Sequence, residues 1–215
     1  MLLLIKYTLL YGIVLMLVAL GGMFSEHSGI INIALEGIMV IGGVAGVLTL
    51  TLLPADMSPF LVVLLTILAA ALAGMVYSLL LAFASINLKA DQTIGSTALN
   101  LMAPALVLFL IRIIANQNTL QMLTGDAASW FMIKKSTLGI DKNTDLGFFG
   151  ETFVNKVYLA TYVCILLFII LSILLYKTRF GLRLRACGEN PQAADSLGIN
   201  VYKMRYAGTT ISGAL

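Results

Sequence analysis

The chain has 215 residues, of which 60% are hydrophobic and 11% are charged, and its mean hydropathy is +1.01. Soluble domains carry about a quarter charged residues, so this composition excludes an ordinary soluble domain and indicates a polytopic membrane protein. The formal net charge of +3 is small, and the basic residues gather in one segment near the C-terminus, which does not favour a nucleic-acid surface.

Long charge-free runs follow one another along the chain. Each is at least 19 residues long, and about 20 helical residues cross a 30 Å hydrocarbon core. Because the runs are continuously apolar rather than alternating, they predict helices and not barrel strands. We expect an all-α fold in one transmembrane domain, residues 1–215, with about five spans near residues 3–22, 31–53, 60–86, 93–115 and 154–176.

Polar side chains stand inside the second and fourth runs. Asn32 and Glu36 are four residues apart, which predicts that they lie on one face of a helix. Ser96, Thr97 and Asn100 lie close together in the fourth run. A carboxylate that faces lipid is costly, so we expect Glu36 to face a cavity, a partner or the interface. Two roles stay open for these residues: lining the path of a hydrophilic solute, or hydrogen bonding between helices.

Lysine and arginine counts orient the chain. Residues 177–205 carry six basic and two acidic side chains, a net charge of +4, and the positive-inside rule places this segment in the cytoplasm. The loop at 117–152 carries three lysines and four carboxylates, a net charge of −1, and is expected outside. Two arrangements stay open for the N-terminus. Either it lies outside and the first two runs are full spans, or it lies inside and residues 24–53 re-enter, with the polar turn Ser25–Gly29 within the bilayer.

A short helix is predicted inside the basic segment. Asn190 is suited to cap its start, Pro191 to occupy its first position, and Gly198 to end it in a left-handed conformation. Helical spacing places Ala193, Ala194 and Leu197 on one apolar side. This side is expected either to dock into a partner or merely to cap a loop.

The sequence does not predict a disulfide, a metal site or an ATP-binding loop. Cys164 is expected in the fifth span and Cys187 in the cytoplasm, so no disulfide is predicted. His27 is the single histidine and has no cysteine near it, so no metal site is predicted. No GxxxxGK[ST] motif occurs, so any ATP must be bound by another chain.

Three blocks of sequence stand out: GMFSEHSGIINIALEG from Gly22, ADQTIGSTALNLMAPAL from Ala90 and FGLRLRACGENPQAADSLGINV from Phe180. Together they resemble the permease subunits of bacterial ABC importers for simple sugars and nucleosides, most closely the shorter permease of nucleoside uptake systems. The resemblance implies a multi-pass protein of the bacterial cytoplasmic membrane that contacts lipid and performs no chemistry itself. It also implies three partners: a second permease, a cytoplasmic ATPase that binds ATP and Mg, and an extracytoplasmic substrate-binding lipoprotein.

The resemblance further implies that the short helix is the coupling helix that docks into the ATPase. The residues concerned are Glu189, Asn190, Pro191, Gln192, Ala193, Ala194, Asp195, Ser196, Leu197 and Gly198. Members of this family are usually about a hundred residues longer, so we expect the C-terminal half to be missing. Two alternatives stay open: a secondary transporter or channel driven by an ion gradient through Glu36, and a truncated fragment that does not transport.

Overall fold

The computed structural model describes residues 2–54, 57–114, 132–133 and 157–215. Helices occupy nearly all of these ranges, and two residues of β1 pair antiparallel with two of β2, Met132 with Tyr158 and Ile133 with Val157. The elements are α1 Leu2–Glu26, α2 Leu35–Leu52, α3 Pro59–Ile86, α4 Gln92–Ile114, β1 Met132–Ile133, β2 Val157–Tyr158, α5 Leu159–Lys177, α6 Arg179–Glu189, α7 Pro191–Ser196 and α8 Val201–Ala214. Apart from β1, the loop predicted at 117–152 lies outside the described residues.

Four of the described helices, α1 to α4, are long and apolar enough to cross a membrane. α5 and α6 together form a fifth candidate that is bent by 68° between them. α6 carries three arginines, which are costly in hydrocarbon, so we assign the membrane-crossing part to α5. The predicted all-α, polytopic membrane fold with about five spans is confirmed.

Residue contacts divide the chain into two compact units. The first comprises residues 1–17 and 121–170, and it contains the start of α1, the β1–β2 pair and most of α5. The second comprises residues 18–120 and 171–215, and it contains α2 to α4 and α6 to α8. The single transmembrane domain predicted from the sequence stays a prediction.

The core of the second unit forms where α2, α3 and α4 pack together. Buried aliphatic and aromatic side chains from all three helices meet there, including Ile38 and Ile41 from α2, Tyr77 and Leu81 from α3, and Val107 from α4. The Tyr77 hydroxyl donates a hydrogen bond of 2.6 Å to the backbone carbonyl of Leu99, which joins α3 to α4. α8 packs on an adjacent side of α3, where the backbones approach closely at Gly74 and Gly213.

The break before α2 differs from the sequence prediction. α2 begins at Leu35 rather than near residue 31, and residues 30–33 are not helical. Here the Asn32 side chain accepts a hydrogen bond of 3.1 Å from the Ala34 backbone N–H, a local bond that competes with helix formation. Asn32 is buried and Glu36 is exposed, so the prediction that the two share one helix face is wrong.

One end of the second unit carries the basic segment 177–205, and we call it the basic end. The turn at His27–Gly29 lies there, because a Cβ on Gly188 would come within 2.5 Å of the His27 carbonyl oxygen. α1 therefore ends at the basic end and α2 leaves from it. This favours the arrangement with two separate spans, since the polar turn lies beside the basic segment and not deep in the bilayer.

Candidate functional site

The short helix α7 has the ends that its sequence predicts. The Asn190 side chain accepts a hydrogen bond of 3.1 Å from the Ala193 N–H, and Pro191 is the first helical residue. The helix closes at Gly198, which has a φ of +78° and whose N–H donates to the Asp195 carbonyl at 2.8 Å. The local prediction of cap, first turn and stop is therefore confirmed, with the last helical residue at Ser196.

The predicted apolar side of α7 is not a single surface. Ala194 is only 2% exposed and faces the protein, whereas Leu197 is 80% exposed. The Ala194 carbonyl also accepts a hydrogen bond of 3.1 Å from the Ile199 N–H, which helps to close the C-terminal end of the helix. The expectation that Ala193, Ala194 and Leu197 share one side is wrong, because Ala194 is buried while the other two are exposed. The residues left exposed are Glu189, Asn190, Gln192, Ala193, Asp195, Ser196, Leu197 and Gly198.

α6 holds one side of α7. Its buried residues, Gly181, Leu184 and Cys187, recur every three positions and form the face that packs inward. A Cβ on Gly181 would overlap the Leu175 carbonyl, so glycine permits the close turn from α5 into α6. The Arg185 guanidinium lies 5.3 Å from the centre of the Tyr176 ring, a cation–π distance. Burial raises the pKa of the Cys187 thiol, and the Arg205 charge opposes part of this rise.

α8 holds the other side and begins shortly after α7. The Asn200 side chain caps α8 by accepting from the Lys203 N–H at 3.0 Å. Further along, a Cβ on Gly208 would come 2.9 Å from the Phe24 carbonyl oxygen, so α8 packs directly against the end of α1. Ser212 then accepts a hydrogen bond of 3.0 Å from the Asn32 side chain. α7 is thus fixed to the elements that form the membrane bundle.

One stripe of α4 carries the non-helical segment before α2. The stripe consists of Gln92, Ser96 and Asn100, which are spaced by four residues and share a helix face. Gln92 accepts from the Ile31 N–H at 2.8 Å, and the Ser96 hydroxyl donates to the Ile31 carbonyl at 3.4 Å. Asn100 accepts from the Gly37 N–H at 2.8 Å and donates to the carbonyl oxygen of Ile33 at 2.9 Å.

These bonds give a structural role to most of the residues that the sequence marked for a solute path. Irregular backbone within a membrane must find its partners inside the protein, and the stripe supplies them. Hydrogen bonds within the protein are made by the side chains of Asn32, Ser96 and Asn100. Thr97 is exposed and its hydroxyl donates to the Thr93 carbonyl on its own helix. Glu36 is exposed on α2.

Two residues of this arrangement were missed by sequence reasoning. Gln92 stands four residues before Ser96 and eight before Asn100, so the spacing in the sequence was sufficient to identify it. Ser212 gave no such signal, because its partner Asn32 is 180 residues away in the chain.

Known proteins resemble the chain along almost its whole length. The family model described as branched-chain amino acid transport system / permease component matches residues 4–215. The nucleoside ABC transporter permease protein NupC of Lactococcus lactis subsp. cremoris is 41% identical over 210 residues, which cover 96% of this chain and 62% of that protein. The guanosine ABC transporter permease protein NupQ of Bacillus subtilis is 40% identical over 209 residues, with the same coverage of 96% and 62%. The chain therefore spans about three fifths of the length of these curated relatives. No solved structure matches it significantly.

Proposed function

The chain belongs to the family of permease components of branched-chain amino acid transport systems, and from this premise we propose that it is a membrane-spanning subunit of an ATP-driven importer for nucleosides or related simple sugars. The names of its relatives, nucleoside and guanosine ABC transporter permeases, support the nucleoside among these solutes. The proposed transporter contains a second permease, a cytoplasmic ABC ATPase that binds ATP and Mg, and a lipoprotein that delivers the solute. It lies in the bacterial cytoplasmic membrane.

The observation that carries the proposal is the way α7 stands at the basic end. It is capped at both ends, its outer surface is exposed, and a single buried alanine, Ala194, seats it on the protein. A helix of six residues is not stable by itself, so its ends and its seat must fix it. A helix that is held in this way moves as a rigid body when a bound partner moves, and does not unfold.

The route from α7 into the membrane supports the same function. α8 follows α7 within a few residues and contacts α3 through Gly213, and it contacts the segment before α2 through Ser212. When ATP binding closes the partner ATPase, α7 moves with it and α8 carries the displacement into the bundle. The transporter then shifts between two states that open the solute path to opposite sides.

The test replaces exposed residues of α7 in the assembled transporter. Ala193→Asp and Leu197→Asp introduce charge on the outer side of the helix and should reduce both co-purification of the ATPase and ATP-driven nucleoside uptake. Ser58→Asp is the control, since it adds the same charge at the exposed N-cap of α3, at the end of that helix away from the basic end, where an acidic residue suits the helix start. Undiminished ATPase association and uptake in both test variants would refute the coupling role. Uptake driven by a proton or sodium gradient without the ATPase would instead support the secondary transporter.

A further inference from the structure

Glu36 lies at membrane depth with its side chain exposed. It precedes Gly37, whose N–H is bonded by Asn100, so the two residues are level with one another. α4 is free of charge from Gln92 to Ile111, a stretch of about 30 Å, and Asn100 lies eight residues or about 12 Å into it. Glu36 is therefore close to the middle of the hydrocarbon layer.

The Glu36 carboxylate has no cationic partner among the described residues of the chain. Carboxylates within a membrane face a water-filled cavity or a partner, because hydrocarbon cannot solvate their charge. The Glu36 side chain is short, so it cannot extend across the remaining distance to the headgroups as a lysine does. A water-filled cavity or a partner is therefore favoured over lipid as the surroundings of this carboxylate.

The surroundings of Glu36 form a mixed, open surface. Met39 and Gly43 continue the same exposed side of α2, and a Cβ on Gly43 would meet no atom within 4 Å. On α4, Thr93 and Thr97 are exposed next to the side that carries Asn100. The exposed side of α3, in contrast, carries large apolar side chains at Leu72, Val76, Leu80 and Phe83. The exposed side of α3 is uniformly apolar, whereas the side that carries Glu36 adds the hydroxyls of Thr93 and Thr97 to apolar residues such as Ile33 and Leu101.

We propose that Glu36 faces the solute path of the assembled transporter and that its carboxylate accepts hydrogen bonds from the vicinal hydroxyls of the sugar. This inference rests on the proposed function. An ionised carboxylate has acceptors only, and a vicinal diol offers two donors side by side, whereas a nucleoside base presents both donors and acceptors. Hydrogen bonds to a charged acceptor are about twice as strong as neutral ones, so one residue is sufficient to orient the sugar.

The first experiment tests whether water reaches Glu36. In a transporter that carries Cys164→Ser and Cys187→Ser, the variants Glu36→Cys and Val76→Cys are treated with a charged, water-soluble methanethiosulfonate. We expect labelling at position 36 and none at position 76, which lies on the apolar side of α3. Protection of position 36 from the reagent would show that a partner covers it, and would overturn the proposal.

The second experiment tests recognition of hydroxyls. ATP-driven uptake of a ribonucleoside and of its 2′,3′-dideoxy analogue is measured for the wild type, for Glu36→Gln and for the control Glu26→Gln, an exposed carboxylate at the basic end. Each variant is compared with the wild type for the same nucleoside, so selection by the lipoprotein cancels. Loss of a charged acceptor predicts that Glu36→Gln lowers ribonucleoside uptake about tenfold or more and leaves uptake of the analogue unchanged. The Glu26 variant should change neither.

The outcomes separate the inference from the proposed function. If the wild type takes up no nucleoside in an ATP-dependent manner, the proposed function fails and the inference fails with it. If the wild type transports but Glu36→Gln lowers uptake of both nucleosides equally, or of neither, only the role of Glu36 in hydroxyl recognition is overturned. Co-purification of Glu36→Gln with its partners shows that the variant is assembled.

Discussion

Asn32 and Ser212 are 180 residues apart in the chain, yet the Asn32 amide donates a hydrogen bond of 3.0 Å to the Ser212 hydroxyl. Both side chains are buried. The bond ties α8, which follows the proposed coupling helix, to the non-helical segment that leads to Glu36. It therefore lies between the element that a motor would move and the surface that a solute would meet.

Loss of the Asn32–Ser212 hydrogen bond should reduce the coupling of ATP hydrolysis to transport more than it reduces assembly with the ATPase. Ser212→Ala leaves the Asn32 amide without this acceptor, and a hydrogen bond between membrane helices is worth about 1 kcal/mol. We expect normal ATPase association but fewer nucleosides transported for each ATP hydrolysed, measured in proteoliposomes. Thr210→Val is the control, because its hydroxyl donates only to carbonyls of its own helix, those of Tyr206 and Ala207. An unchanged transport-to-hydrolysis ratio in Ser212→Ala would contradict the prediction.

The Asn100 side chain should contribute to the folding stability of the protein. Asn100→Ala removes the partners of the buried Gly37 N–H and of the more exposed Ile33 carbonyl, and the unpaired buried N–H costs about 1–3 kcal/mol. We expect the unfolding temperature of the purified protein to fall by several degrees. Thr97→Val removes a hydroxyl that bonds only within α4 and should have a much smaller effect. Equal losses in the two variants would argue against the stripe.

The close contact of α3 with α8 should require glycine at position 213, because a side chain there has no room. A Cβ on Gly213 would overlap the Ser78 side chain and come 2.6 Å from the Gly74 carbonyl oxygen, so Gly213→Ala must push the two helices apart. Overpacking of this kind costs about 1–3 kcal/mol. Gly43→Ala places the same methyl group where no atom lies within 4 Å and should be tolerated. Thermal unfolding of the two variants compares them directly, and a stable Gly213→Ala protein would be inconsistent with this packing.

Cys187 should be unreactive while the protein is folded. Its side chain is fully buried, and burial raises its pKa, so the thiolate that reacts with alkylating agents is scarce at neutral pH. We expect iodoacetamide to modify Cys187 only after denaturation, as measured by mass spectrometry. A cysteine introduced by Ser196→Cys on the exposed side of α7 should react in the native state. Similar rates at positions 187 and 196 would show that α6 does not pack as described.

Local chemistry made part of the fold readable from the sequence. Membrane-spanning helices can be recognised in the sequence because lipid requires long apolar runs whose backbone groups are hydrogen-bonded within the helix. The ends of α7 were equally readable, because a cap at Asn190, a first-turn proline at Pro191 and a left-handed glycine at Gly198 act within a few residues of one another. The surroundings of Glu36 were not readable in this way, because the sequence left a cavity, a partner and the interface open for it.

Contacts between distant residues were decided only by the tertiary structure. Helical spacing alone placed Asn32 beside Glu36, but the buried hydrogen bonds of the Asn32 side chain to Ser212 and to the Ala34 N–H separate them. Spacing also placed Ala194 on the same side as Leu197, whereas packing buries Ala194 and leaves Leu197 exposed. In both cases the sequence gives the candidates for burial or bonding, and the partner that competes for each side chain comes from elsewhere in the chain. Hydrogen bonding and close packing depend on where those partners lie in space, so periodicity by itself does not determine them.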